Sequence, residues 1–257
     1  MSSKLILLRE SIDIPFEIRN LSGYEFSIQD VTFNDYDESV SIYSLHFCEL
    51  DDREEIWNKA NTLIEIINSA LRLYYQNTTQ KIQLTPVMTT SVRGSRLYHP
   101  ISSKNNFTRI YPFDEKELEN NLKDSNYEPR NHPLNIILGL SKKNDDIFEI
   151  LMLNSLDYSF TNLYKIYETL EYYFKQKINI NLSEGFIDYN ITKKDIRSFK
   201  QTANHGNYDV FTLMSTDVRH GRNQNPDNFI KTTNEDAIQL IQNIIKIYLQ
   251  KIYNFKI

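Results

Sequence analysis

Between Thr192 and Arg222 the chain gathers Lys193, Lys194, Arg197, Lys200, Arg219 and Arg222 against three carboxylates, Asp195, Asp209 and Asp217. Two of the five histidines, His205 and His220, fall in the same stretch. Guanidinium forks and imidazoles at the end of a helix suit a phosphate or a scissile RNA linkage: the first neutralises charge, the second moves a proton. Lys193, Arg197, Lys200, Asn204, His205, Arg219 and Arg222 are therefore the expected anion- or nucleic-acid-binding residues. A solvated helix face, with one arginine held by a core carboxylate, accounts for the same residues without a ligand.

A catalytic version of this site adds Glu168. The helical pattern Leu163, Ile166, Tyr167, Leu170, Phe174 places Glu168 beside Tyr167 on an otherwise apolar face, where a carboxylate is costly unless paired. Arg219 is the expected partner, in a bidentate bridge that would anchor a long loop to the helix. Asn204 would cap the preceding helix or bond the loop backbone. With Glu168 and His220 as acid–base partners and Arg219 on the phosphate, the site would be a metal-independent ribonuclease. Arg219-His220-Gly221 also matches the core of the histidine-phosphatase signature. That signature follows a first strand and needs a long chain after it, whereas this tripeptide stands late in the chain.

Metal and cofactor chemistry find little support. His46, His99, His132, His205 and His220 show no ligand spacing, and Cys48 is the single cysteine. His46 is expected as a satisfied core residue on a central strand, and His99-Pro100 and His132-Pro133 as loop positions. No glycine-rich phosphate loop and no Gly-x-Ser-x-Gly elbow occur, so no cofactor is expected. Arg93-Gly94-Ser95-Arg96 reads as a hairpin connection.

The elements that must position these residues follow from periodicity. The chain has 257 residues, a net charge of −5, and 40% hydrophobic and 12% aromatic side chains, enough to bury a core and too acidic for a generally basic nucleic-acid coat. Residues 4 to 50 read as strands: Ile12 to Ile18 alternate with period two beside Pro15, an edge signal. Tyr24 to Phe33 form a second strand, and Val40 to Cys48 a third, apolar on both sides. Asp52 and Glu55 open a helix of about six turns, carried by Ile56, Ala60, Leu63, Ile67, Leu71 and Tyr74. Ile82 to Val92 are a strand, and 101–130 an acidic connection with one short helix near 114–123.

From Leu134 the pattern is helical: 145–156, 161–175, a third helix capped by Thr192, and a last one from Asn234 with Ile238, Ile241, Ile245, Tyr248 and Ile252 inward. A loop from His205 to Thr233, with a short helix at 209–214, separates the last two. The expected fold class is α+β, an N-terminal antiparallel β-sheet with one long helix followed by a C-terminal helical bundle. The expected domains are 1–110 (sheet plus helix), 111–133 (connection) and 134–257 (helical). Short apolar runs and the absence of a signal-peptide pattern lead to a cytoplasmic location with no membrane partner.

Three blocks, Leu163-Tyr164-Lys165-Ile166-Tyr167-Glu168, Phe199-Lys200-Gln201-Thr202-Ala203-Asn204 and Arg219-His220-Gly221, resemble in order and spacing a group of uncharacterised bacterial proteins. The helical C-terminal half with a late Arg/His site is similar to HEPN domains, many of them ribonucleases of toxin–antitoxin and antiphage systems. Their catalytic mark is an arginine followed four to six residues later by histidine. Here Arg197 and His205 are eight apart and Arg219 and His220 adjacent. The resemblance implies a bacterial interaction protein of a defence or toxin system that contacts RNA or DNA through 193–222. An edge strand and tyrosine-rich helices would serve a protein partner or a homodimer.

Overall fold

The computed structural model describes residues 4–8, 18, 21–23, 25–34, 37–47, 50–75, 81–92, 95–100, 107–122, 131–205 and 231–257. The fold is α+β, with an antiparallel sheet toward the N-terminus and a helical C-terminal half. The chain divides into two compact units, Met1–Asp145 and Asp146–Ile257. The division falls one helix later than position 134.

In the first unit β1 (Lys4–Leu8), β2 (Ser27–Asn34), β3 (Asp37–Tyr43), β4 (Leu84–Val92) and β5 (Ser95–Pro100) form one sheet in the order β2-β3-β1-β4-β5. Register puts Ile28, Ile42, Ile6, Met88 and His99 in one row across all five strands. The four apolar members of that row are buried. The sequence alternation works because it repeats on neighbouring strands at matched register. Val92 pairs with Ser95 and Ser91 with Arg96, so Ser95 and Arg96 belong to β5 and not to the expected connection, while Arg93 and Gly94 lie outside the described residues. His99, expected in a loop, lies in β5. The expected strand at Ile12–Ile18 lies outside the described residues except for Ile18, which is buried.

The long helix α1 (Arg53–Tyr75) starts where Asp52 accepts the Glu54 N–H at 2.9 Å. It packs on β4 and on α3 (Pro133–Lys143), which explains why α3 belongs to this unit. Buried Asn68 on α1 clamps the start of the returning chain, accepting the Ile82 N–H at 2.8 Å and donating to its carbonyl at 2.9 Å. The short helix expected in the acidic connection is α2 (Glu115–Leu122).

β3 ends at Tyr43 and not at Cys48, because Ser44 and His46 leave the strand for other partners. The Ser44 hydroxyl donates to the Glu25 carbonyl and accepts the His46 N–H. His46, fully buried, meets the Glu25 carboxylate through Nε2 at 2.5 Å while its Nδ1 accepts the Asp114 N–H at 2.8 Å. Lys142 Nζ, at the end of α3, completes the cluster 3.1 Å from the other Glu25 oxygen. Burial raises the Glu25 pKa, but the hydrogen bond from His46 and the Lys142 ammonium outweigh that and hold the carboxyl below its usual range.

The second unit holds α4 (Asp145–Asn154), α5 (Phe160–Ile178), α6 (Lys193–His205) and α7 (Asn234–Tyr253), with α5 packed on both α6 and α7. Between α5 and α6 a small ribbon pairs β6 (Gly185–Phe186) with β7 (Ile191–Thr192). Gly185 is required there: its φ is +80° and a Cβ would lie 2.5 Å from the Ile191 carbonyl oxygen. Tyr167, Phe174, Phe199 and Tyr248 are the large buried rings of this core.

One carboxylate gathers three helices. Buried Asp146 on α4 accepts the hydroxyl of Tyr248, the hydroxyl of Tyr253 at 2.8 Å, and the Lys177 ammonium at 2.8 Å. Burial acts to raise its pKa, yet the bonds from Lys177, Tyr248 and Tyr253 more than offset that, so the group is held below its ordinary 3.8. A carboxyl so depressed contributes stability above that ordinary value and loses it as pH falls through the native value. Asp146→Asn should therefore lower unfolding free energy at pH 7 by roughly 3 kcal/mol. Its stability should also fall less steeply below pH ~4 than the wild type's, because the variant has no such proton to take up. Urea unfolding across the acid range checks both expectations.

Candidate nucleic-acid interface

The expected binding residues on α6 form a geometric unit. Lys193, Arg197, Lys200 and Asn204 recur at spacings of four, three and four, which lines them along one side of the helix. The opposite side carries Ile196, Phe199, Thr202 and Ala203, all buried. The helix begins with a reciprocal cap: Thr192 Oγ1 accepts the Asp195 N–H at 3.2 Å, and Asp195 Oδ2 accepts the Thr192 N–H at 2.9 Å. These bonds from Thr192 hold the Asp195 carboxyl below its usual range. Thr202 accepts the Thr232 N–H at 3.0 Å, tying α6 to the residues that lead into α7.

Individual cations on this helix stand in different circumstances. Lys194 and Arg197 are exposed. Lys193 lies 3.1 Å from Glu184, with both side chains mostly in solvent, a bond that salt or a phosphate displaces at little cost. Lys200 is half-buried against α5, its Nζ 5.0 Å above the Tyr167 ring and 3.8 Å from Glu171. The Tyr167 hydroxyl donates to the same Glu171 at 2.8 Å, and Tyr164 stacks on Phe199 beneath. Asn204 Oδ1 is buried and accepts no hydrogen bond among the described residues.

Glu168 requires correction. It is exposed, not set in the apolar face of α5. Leu163, Ile166, Tyr167, Leu170 and Phe174 make the buried stripe, and at ~100° per residue position 168 turns away from it. The carboxylate at the edge of that stripe, and the one that meets α6, is Glu171. Its signal was present: it lies one turn after Tyr167, within reach of the phenol. Side-chain orientation at His205, the last residue of α6, lies outside the described residues, as do Arg219, His220, Arg222 and the expected 209–214 helix. The expected bridge from Arg219 to Glu168 falls there too.

Elsewhere, among the described residues, no group of three His, Cys, Asp or Glu side chains stands close enough to hold a metal ion. No described helix is long and apolar enough to cross a membrane. No protein-family model, no curated protein and no solved structure matches the chain.

The Lys200–Glu171 contact is partly solvated and should be weak. A double-mutant cycle with Lys200→Met and Glu171→Gln should give a coupling of about 0.5 kcal/mol that shrinks in 0.5 M salt. Chemical denaturation of the four proteins measures it.

Proposed function

We propose that this protein is an interaction protein that binds RNA or DNA through α6, as a component of a bacterial defence or toxin system. The observation that carries the reading is the row Lys193, Arg197, Lys200, Asn204 on one side of an amphipathic helix whose other side is buried in the core. A phosphate backbone needs regularly spaced cations on a rigid support, and salt-displaceable partners for those cations. α6 offers both. The similarity of the helical half to HEPN domains supports the defence or toxin context. The exposed position of Glu168 removes the desolvated carboxylate on which acid–base catalysis was built.

The test is fluorescence anisotropy of a labelled 20-nucleotide single-stranded RNA across a salt series. Wild-type affinity should fall linearly on logarithmic axes, and Lys193→Ala with Arg197→Ala should reduce the slope by ~1.4. Absence of binding at 20 mM salt, or an unchanged slope in the double variant, overturns the proposal. Cleavage of the RNA by the metal-free protein would replace it with the ribonuclease reading.

A further inference from the structure

Two adjoining cavities in the second unit share Tyr189 and Asn243. The larger, about 700 Å³, opens between the first turns of α6 and α7 and is lined by Lys194 and Lys231 among others. The smaller, about 250 Å³, continues along α7 toward Lys246 and Lys256. Together they form a groove floored by one side of α7. Asp236, Gln239, Asn243, Lys246 and Gln250 recur at three- and four-residue spacings along that side, over a length of about 21 Å. The opposite side of α7 carries Ile241, Ile245 and Tyr248, all buried.

The charges along this groove are unequal. At its wide end the two carboxylates are engaged in helix caps: Asp195 with Thr192, and Asp236 Oδ2 with the Thr233 hydroxyl at 2.8 Å. At its narrow end Lys246 is half-buried, and burial alone holds its ammonium below the usual lysine range. Among the described residues no carboxylate offsets that cost. Lys246 and Lys256 line this cavity together with Ile257, and an ammonium partly desolvated there gains from an anionic partner. The wide end differs in character. Asn243 and Gln239 present amide donors and acceptors, and Tyr189 stands at the junction, anchored through its hydroxyl to Gln250 at 3.2 Å.

We propose that this groove takes a nucleotide unit of a single-stranded nucleic acid, with its phosphate at Lys246 and Lys256 and its base in the wide cleft against Tyr189, Asn243 and Gln239. The inference rests on the nucleic-acid reading of α6 and extends the strand's path from Lys194 onto α7. A base can enter such a cleft only when unpaired, since in a duplex its face is stacked and its edge engaged. The volume of the wide cleft lies within the range of small-ligand sites.

Anisotropy with a labelled U12 strand and a 12-base-pair RNA duplex tests this. Lys246→Gln should weaken U12 binding about tenfold and reduce the salt slope by ~0.7. Lys246→Arg should restore U12 affinity to within about threefold of wild type, since the charge is kept. Duplex affinity should stay the same in both variants. If Lys246→Gln binds U12 like the wild type while Lys193→Ala with Arg197→Ala does not, the groove proposal falls and the α6 reading stands. If the α6 variant binds normally and Lys246→Gln does not, the α6 reading falls and the groove stands. Equal losses for strand and duplex overturn the single-strand assignment, and a wild type that binds neither overturns both.

Discussion

A buried carboxylate must be satisfied or neutralised, and Asp146 is satisfied by three side chains from two other helices at once. Tyr248 reaches it from the middle of α7, Tyr253 from the end of α7, and Lys177 from the last turn of α5. Each bond is charge-assisted, and their number offsets the burial that would otherwise favour the protonated form. The consequence is rotational. With Tyr248 turned inward to Asp146 and stacked edge-on against Phe174, α7 cannot roll about its axis. Its polar side, from Asp236 to Gln250, is thereby fixed outward as the floor of the groove.

The first unit solves a similar problem with different chemistry. Glu25 is buried and held by His46 on one oxygen and Lys142 on the other, while Asp114 engages the far side of the imidazole through its main chain. Phe113 packs edge-on against the same ring. These contacts join the turn after β3, the approach to β2, the start of α2 and the end of α3. A histidine beside a carboxylate resembles acid–base machinery, but here both are sealed in the core and every polar atom already has a protein partner. The conspicuous titratable pair of this protein is scaffold. Its cations on α6 and α7 differ in being exposed, weakly held, or partly desolvated without an opposite charge.

Elements governed by local pattern were legible in the sequence. α1 shows its apolar spacing and its Asp52 cap, and the period-two alternation around Ile28 and Ile42 reads directly as strand. The α6 row was legible for the same reason, since positions four and three apart on a helix are neighbours by geometry. What escaped were contacts set by tertiary packing. Glu25, His46 and Lys142 are far apart in the chain, and nothing local to any of them specifies the others. Asp146 and Tyr248 meet across 102 positions. Glu168 and Glu171 differ by less than one turn, so an error of that size in the apolar stripe exchanges a solvated carboxylate for the one that meets α6. Lys246 went unnoticed because an isolated lysine in a helix carries no signal until the neighbouring ribbon and its Tyr189 enclose it.

On the reading proposed above, the described carboxylates around α6 and α7 suit positioning cations better than taking a proton from an attacking hydroxyl. A metal-independent cleavage needs a base whose pKa lies near the working pH, beside the attacking hydroxyl. Among the described carboxylates around α6 and α7, Asp195 and Asp236 are each committed to the cap of their own helix, and Glu184 already faces Lys193. Hydrogen bonds from Thr192 hold Asp195 below the ordinary carboxylate range, which makes it a weaker base, not a stronger one. Glu171 accepts the Tyr167 phenol and lies 3.8 Å from Lys200, so it is already engaged on both sides. The depressed carboxylate and the satisfied one position cations and fix helix starts. Among the described cations, Lys246 alone is held below its usual range by burial, and on the proposed reading a phosphate is what relieves that cost.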